Sequence, residues 1–89
     1  HEVKKSGQSI YLTALEFTLL HFLIKHKDLV VSRDSILDKV WGDDVCVFPR
    51  TVEKHIAQLR KKIENDPTKP KYIIGVRGVG YIFKEFIRI

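Results

Sequence analysis

Residues 49–64 read PRTVEKHIAQLRKKIE, with apolar side chains at Val52, Ile56, Leu59 and Ile63, a spacing of i, i+4, i+7 and i+11. At about 100° per residue these four share one narrow wedge of a helix, whereas the alternation of a strand would split them between two faces. The stripe therefore commits this segment to a helix with one buried face, and the rest of the chain must cover it. Diametrically opposite the stripe lie Arg50, Lys54 and Lys61. Ala57 and Gln58 flank that outer ridge, Thr51 and Lys62 sit slightly further round, and Glu53, Arg60 and Glu64 share one side margin. A solvated helix back usually mixes signs at i, i+4. Here the acids are confined to one margin and the ridge is cationic or neutral, which favours a polyanionic partner over a plain solvated face or an acidic protein partner.

The whole chain carries a net charge of +5, unevenly placed. Residues 1–49 hold 6 Lys/Arg against 7 Asp/Glu, while residues 50–89 hold 10 against 4. Eighty-nine residues suit a single domain with one modest core. Apolar residues at 44% and charged residues at 30% describe a globular chain. No window approaches the roughly 18 uninterrupted apolar residues of a membrane span. The opening HEVKKSGQ has no apolar stretch of the kind that follows the basic region of a signal peptide. A chain that begins at His1 and contains no methionine is expected to be part of a longer protein. The single cysteine, Cys46, cannot form an intrachain disulfide, which points to a reducing compartment, the cytoplasm, and to a small loop or core residue.

Ahead of the amphipathic helix, EVKKSGQSIYLT reads as two short extended pieces around a Ser6-Gly7 turn, too short to be stable without further strands or a helix. TALE, at 13–16, is a capping box that starts a helix over 14–25, with Phe17, Leu20, Leu23 and Ile24 inward. LVVS gives a short strand. Ser32 then caps a second helix through about Val40, with Ile36, Leu37 and Val40 inward, and Trp41-Gly42 ends it. GDDVCVFP is a connecting loop, and Pro49 suits the first turn of the third helix. After Glu64, NDPTKP breaks the helix, and KYIIGVRGVGYIFKEFI reads as two strands joined by a glycine-rich turn at 77–80.

Two local features bear on chemistry. Gln58 sets a bidentate amide among cations, the side-chain chemistry that reads adenine in a major groove while Lys and Arg neutralise phosphates on either side. His55 lies nearer the core margin than the ridge, where a half-buried histidine bonding to backbone or phosphate fits better than a catalytic one. GVRGVGY, at 75–81, matches neither phosphate-loop pattern and is flanked by strands. Gly78 and Gly80 are expected to supply positive φ at a hairpin tip that displays Arg77, a side chain suited to a narrow minor groove.

LTALEFTLLHFLIKH, VSRDSILDKVWG, PRTVEKHIAQLRKKIE and IIGVRGVGYIF, in this order over residues 3–83, resemble the C-terminal winged-helix effector domain of the OmpR/PhoB class of bacterial two-component response regulators. The resemblance implies an α+β fold: a winged helix-turn-helix of three helices, a short and here truncated N-terminal antiparallel sheet, and a C-terminal β-hairpin wing. It implies one DNA-binding domain over residues 1–89, with the phosphoacceptor receiver absent from this chain. The third helix would enter the major groove of double-stranded DNA and the wing the minor groove. Carried over position by position, Thr51, Lys54, Gln58 and Arg77 would contact bases, while Arg50, His55, Lys61 or Lys62, Trp41 and Tyr81 would hold phosphates. The loop containing Asp43, Asp44, Val45, Val47 and Phe48 corresponds to the family's RNA polymerase-contacting segment, although packing beneath the loop explains its apolar residues equally well. The resemblance also implies a monomer in isolation and a head-to-tail pair on DNA, with no cofactor and no membrane partner. Many relatives carry a basic residue where Gln58 stands, so their base preference does not transfer.

An enzyme would need a convergent constellation. The four histidines at 1, 21, 26 and 55 are scattered, and no nucleophile–base pair, metal-ligand spacing or paired carboxylates stand out. The other alternative is a winged-helix module that binds protein and leaves its basic ridge to solvent.

Overall fold

The computed structural model describes residues 2–5, 7–42 and 49–84. Strands β1 (Glu2–Lys5) and β2 (Gln8–Tyr11) form a two-stranded antiparallel sheet with Val3 opposite Ile10, closed by a turn in which Gly7 takes φ 81°. Helix α1 (Ala14–Lys25) starts at the expected capping box. Thr13 Oγ1 accepts from the Glu16 N–H at 3.1 Å, and Glu16 Oε1 accepts from the Thr13 N–H at 2.9 Å.

The buried face of α1 is Glu16, Leu19, Leu20 and Leu23. Leu19 was not among the residues expected inward, while Ile24 is 46% exposed and Phe17 is only half-buried. The reason is that ALEFTLLHFLIK is apolar nearly all round, so its pattern does not select a face; α1 turns the one that meets α3 and the sheet.

Strand β3 (Val30–Ser32) leads into α2 (Arg33–Ile36), capped by Ser32, whose Oγ accepts from the Ser35 N–H at 3.1 Å. The helix continues as a π-helical segment over Leu37–Trp41 and stops at Gly42, which takes φ 84° and donates its N–H to the Leu37 carbonyl at 3.1 Å. Helix α3 (Pro49–Ile63) follows, and then the hairpin of β4 (Ile73–Val76) and β5 (Gly80–Phe83). Strand β3 joins that hairpin, giving a three-stranded antiparallel sheet in the order β3-β5-β4.

Val52, Ile56 and Leu59 are fully buried and Ile63 nearly so, as the stripe requires. They pack with Leu19, Leu20, Leu23, Ile36, Ile73 and Phe83 in a single core. Full burial of each such side chain contributes about 1.5–3 kcal/mol. The turn glycines divide their work differently from the sequence expectation. Gly78 does take φ 76°, but Gly80 does not have positive φ. Instead β5 runs so close to β3 that a Cβ on Gly80 would lie 2.0 Å from the Val31 carbonyl oxygen, so glycine is required there by backbone approach.

Candidate nucleic-acid interface

Helix α3 lies between the other two helices and the β4–β5 hairpin, and side chains on both of its margins are tied to these neighbours. On the helical side, Lys62 Nζ donates to the buried Glu16 carboxylate at 2.6 Å. Burial pushes the Glu16 carboxyl up, but the Lys62 hydrogen bond and charge, with the Thr13 backbone bond, outweigh that and hold it below the ordinary 4.5. His55, half-buried, meets the Trp41 ring edge-on at 5.2 Å between centroids. Its Nδ1 is 2.9 Å from the Thr51 carbonyl oxygen; a carbonyl only accepts, so Nδ1 carries a proton.

On the hairpin side the supposed acidic margin turns out to be a fastening. The Glu64 carboxylate is buried and accepts from three backbone N–H groups, those of Lys71 at 2.8 Å, Tyr72 at 3.0 Å and Ile73 at 2.9 Å. Arg60 donates from Nε and Nη2 to the Ile73 carbonyl at 3.1 and 2.8 Å, and its guanidinium carbon lies 5.7 Å from the Tyr81 ring centroid. Glu53 pairs with Arg33 of α2. Burial, reinforced by the Glu53 charge, raises the Tyr81 phenol above its usual 10.0, so it keeps its proton as a donor at neutral pH.

With the two margins occupied, the outward ridge is left as α3's exposed face. Arg50, Lys54, Ala57, Gln58 and Lys61 are all exposed there. Thr51 is half-buried beside them. Arg77 is exposed in the β4–β5 turn, and Tyr81 and Trp41 are half-buried at the two flanks. Lys62 differs from the other predicted phosphate ligands, because its ammonium is committed to Glu16; of the pair Lys61 and Lys62, Lys61 is the one without such a tie among the hydrogen bonds described here. Asp43, Asp44, Val45, Val47 and Phe48 lie outside the described residues.

Sequence reasoning did not find the roles of Glu64, Arg60 or the Arg33–Glu53 pair. Glu64 did leave a signal. An acid at a helix C-terminus opposes the macrodipole, so its presence before NDPTKP indicated a use outside the helix.

A helix pair whose second member presents a cationic face, followed by a hairpin carrying an exposed arginine, defines a winged helix-turn-helix. Residues 7–83 match the family model described as "transcriptional regulatory protein, C terminal". Among solved structures, the chain is similar to response regulator DrrB of Thermotoga maritima, an OmpR/PhoB homologue. That match has 42% identity and a TM-score of 0.82, and covers 89% of this chain and 36% of DrrB. It is also similar to the DNA-binding domain of Bacillus subtilis CssR, at 36% identity and TM-score 0.79 over 92% of this chain and 89% of that one. The DNA-binding domain of Klebsiella pneumoniae RstA, solved in complex with the RstA box, matches at 31% identity and TM-score 0.84 over 93% and 82%. The chain belongs to this family, the C-terminal winged-helix domains of the OmpR/PhoB class. It spans about a third of the length of DrrB.

Proposed function

We propose that this domain binds double-stranded DNA sequence-specifically, as the effector domain of a cytoplasmic two-component response regulator. Helix α3 lies in the major groove and the β4–β5 wing in the minor groove. The observation that carries this reading is the clearing of acids from α3's outward face: Glu53 and Glu64 are both engaged at the hairpin margin, and Arg50, Lys54, Gln58 and Lys61 are presented together. Fifteen residues of helix extend about 22 Å, and its width suits a major groove.

In this arrangement Thr51, Lys54 and Gln58 read base edges and Arg77 reads the minor groove. Arg50, Lys61, Trp41 and Tyr81 hold phosphates. His55, its Nδ1 committed to Thr51, meets a phosphate with the other edge of its ring. The loop 42–49 serves as the contact to RNA polymerase, and the domain, monomeric alone, binds as a head-to-tail pair on direct repeats. Family membership supports these assignments, and this family is one of transcription regulators rather than enzymes.

Selection of bound duplexes from a random pool, at stated salt, tests the reading. The winners are expected to carry direct repeats. With about five phosphates neutralised, log K should fall against log salt with a slope around −4 to −5. A flat salt dependence would refute DNA binding.

A further inference from the structure

Between α3 and the wing lies an open cleft of about 300 Å3, lined by Arg33, Glu53, Tyr81 and the wing residues 75–80. The arrangement proposed above uses this charged pair only to keep Glu53 off the α3 ridge, and gives the Arg33 guanidinium no role of its own. Arg33 Nη1 donates to Glu53 Oε1, yet the two side chains stay 41% and 50% exposed. An ion pair so open to water adds little to stability.

Position suggests another use. Ser32 pairs with Gly80 where β5 leaves the turn, so Arg33 stands near the turn end of the wing, while Glu53 projects from the hairpin margin of α3. A DNA strand followed from the groove that holds α3 to the groove that holds the wing must cross the gap between these two elements. Its phosphates there face this cleft. A guanidinium has five N–H donors, so one bond to a carboxylate leaves its fork able to meet a phosphate. Arg77 lines the same cleft from the wing, so two cations outnumber one acid.

Resting on the DNA-binding reading, we infer that Arg33 is a phosphate-binding residue that grips the DNA backbone between the two grooves, with Glu53 as the positioning residue that aims its guanidinium. The ligand is a backbone phosphate of duplex DNA, and the contact carries no base preference.

The experiment uses the best duplex from the random-pool selection, and a series of that duplex with one methylphosphonate each along the stretch between the grooves. Arg33→Ala is expected to weaken binding roughly tenfold and to reduce the magnitude of the salt slope by about 0.9, one phosphate's worth. At one position the methylphosphonate should weaken the wild type about as much and leave Arg33→Ala unaffected. Glu53→Gln keeps the cation and should leave the slope unchanged. An unchanged slope for Arg33→Ala, with its thermal transition intact, would overturn the inference. So would a reduced slope without any position at which the variant becomes insensitive, since Arg33 would then act through the fold. Failure of the wild type to bind any duplex in a salt-dependent way would instead refute the DNA-binding reading itself.

Discussion

The two margins of α3 are held by different physics. Toward α1 and α2 the helix is fixed by side chain on side chain: Lys62 on Glu16, and His55 edge-on to Trp41. Toward the wing it is fixed mainly by charged side chains on backbone, Glu64 on three N–H groups and Arg60 on one carbonyl, with the exposed Glu53–Arg33 pair beside them. The difference follows from what each neighbour can offer. The helices bring apolar faces of their own, so the core already holds them and one ion pair is an addition. The hairpin buries mainly Ile73 and Phe83, with Gly80, and the segment leading into it turns backbone N–H groups toward Glu64. An ionised group that satisfies several of those at once adds the hold that so small an apolar face does not supply.

If that contrast is right, the hairpin margin should be the more fragile. Glu64→Ala leaves three backbone donors, that of Ile73 buried and those of Lys71 and Tyr72 part-buried, without their acceptor and should cost about 3 kcal/mol in urea unfolding, the largest effect expected of these polar substitutions. A loss below about 1 kcal/mol would mean that water or a rearranged turn replaces the carboxylate, and the contrast would fail. Arg60→Lys keeps the charge but loses the fork, and should cost about 1.5 kcal/mol, with faster amide exchange in 71–76 than in α1. Equal acceleration in both would show that Arg60 supports the core rather than the wing.

On the other margin, Lys62→Ala should cost about 1 kcal/mol, since Lys62 is partly in water even though Glu16 is not. The pair also carries a pH signature. Because the folded Glu16 carboxyl is held below 4.5, its contribution is present above that value and is lost as pH falls through the folded value. The stability gap between wild type and Glu16→Gln should therefore be widest near neutral pH and close on acidification; a gap constant with pH would show that the ionised form has no advantage in the fold. Smallest in stability and sharpest in function is Gln58→Ala. It should leave the unfolding midpoint unchanged while costing about 1–3 kcal/mol of discrimination at one base pair. A uniform loss over all sequences would remove Gln58 from base reading.

What could be read from the chain beforehand was what depends on neighbours a few residues apart. The α3 stripe, the Thr13–Glu16 box, the Ser32 cap and the hairpin turn expected at 77–80 all rest on spacings of two to four residues or on a turn glycine, and the structure contains each, with the turn at 77–79 and Gly80 already in β5. Long-range pairing was not legible. Lys62 finds Glu16 across 46 residues and Arg60 finds Ile73 across 13, and although the helix angle separates Lys62 from Lys61, it does not say that a buried carboxylate waits on that side. In α1 the obstacle was excess rather than scarcity of signal, for with apolar residues on every side Leu19 and Ile24 compete equally until a partner surface chooses. The ridge was legible in outline, because the angle of each residue on α3 is set by its number alone. Why the acids sit apart from it was not, since that answer lies in the backbone of a segment the helix has yet to meet.

The π-helical segment at Leu37–Trp41 fits one more residue into its turn than an α-helix would. The slower winding of the π turn absorbs the extra residue, so Trp41 leaves the segment at nearly the rotational phase that an α-helix one residue shorter would give it. Deleting one residue from 37–40 should therefore let the segment revert to α-helix and keep Trp41 on the His55 ring, whereas the same deletion in a regular helix turns everything beyond it by about 100°. This short stretch is a site where the domain tolerates the loss of a residue better than its regular helices do.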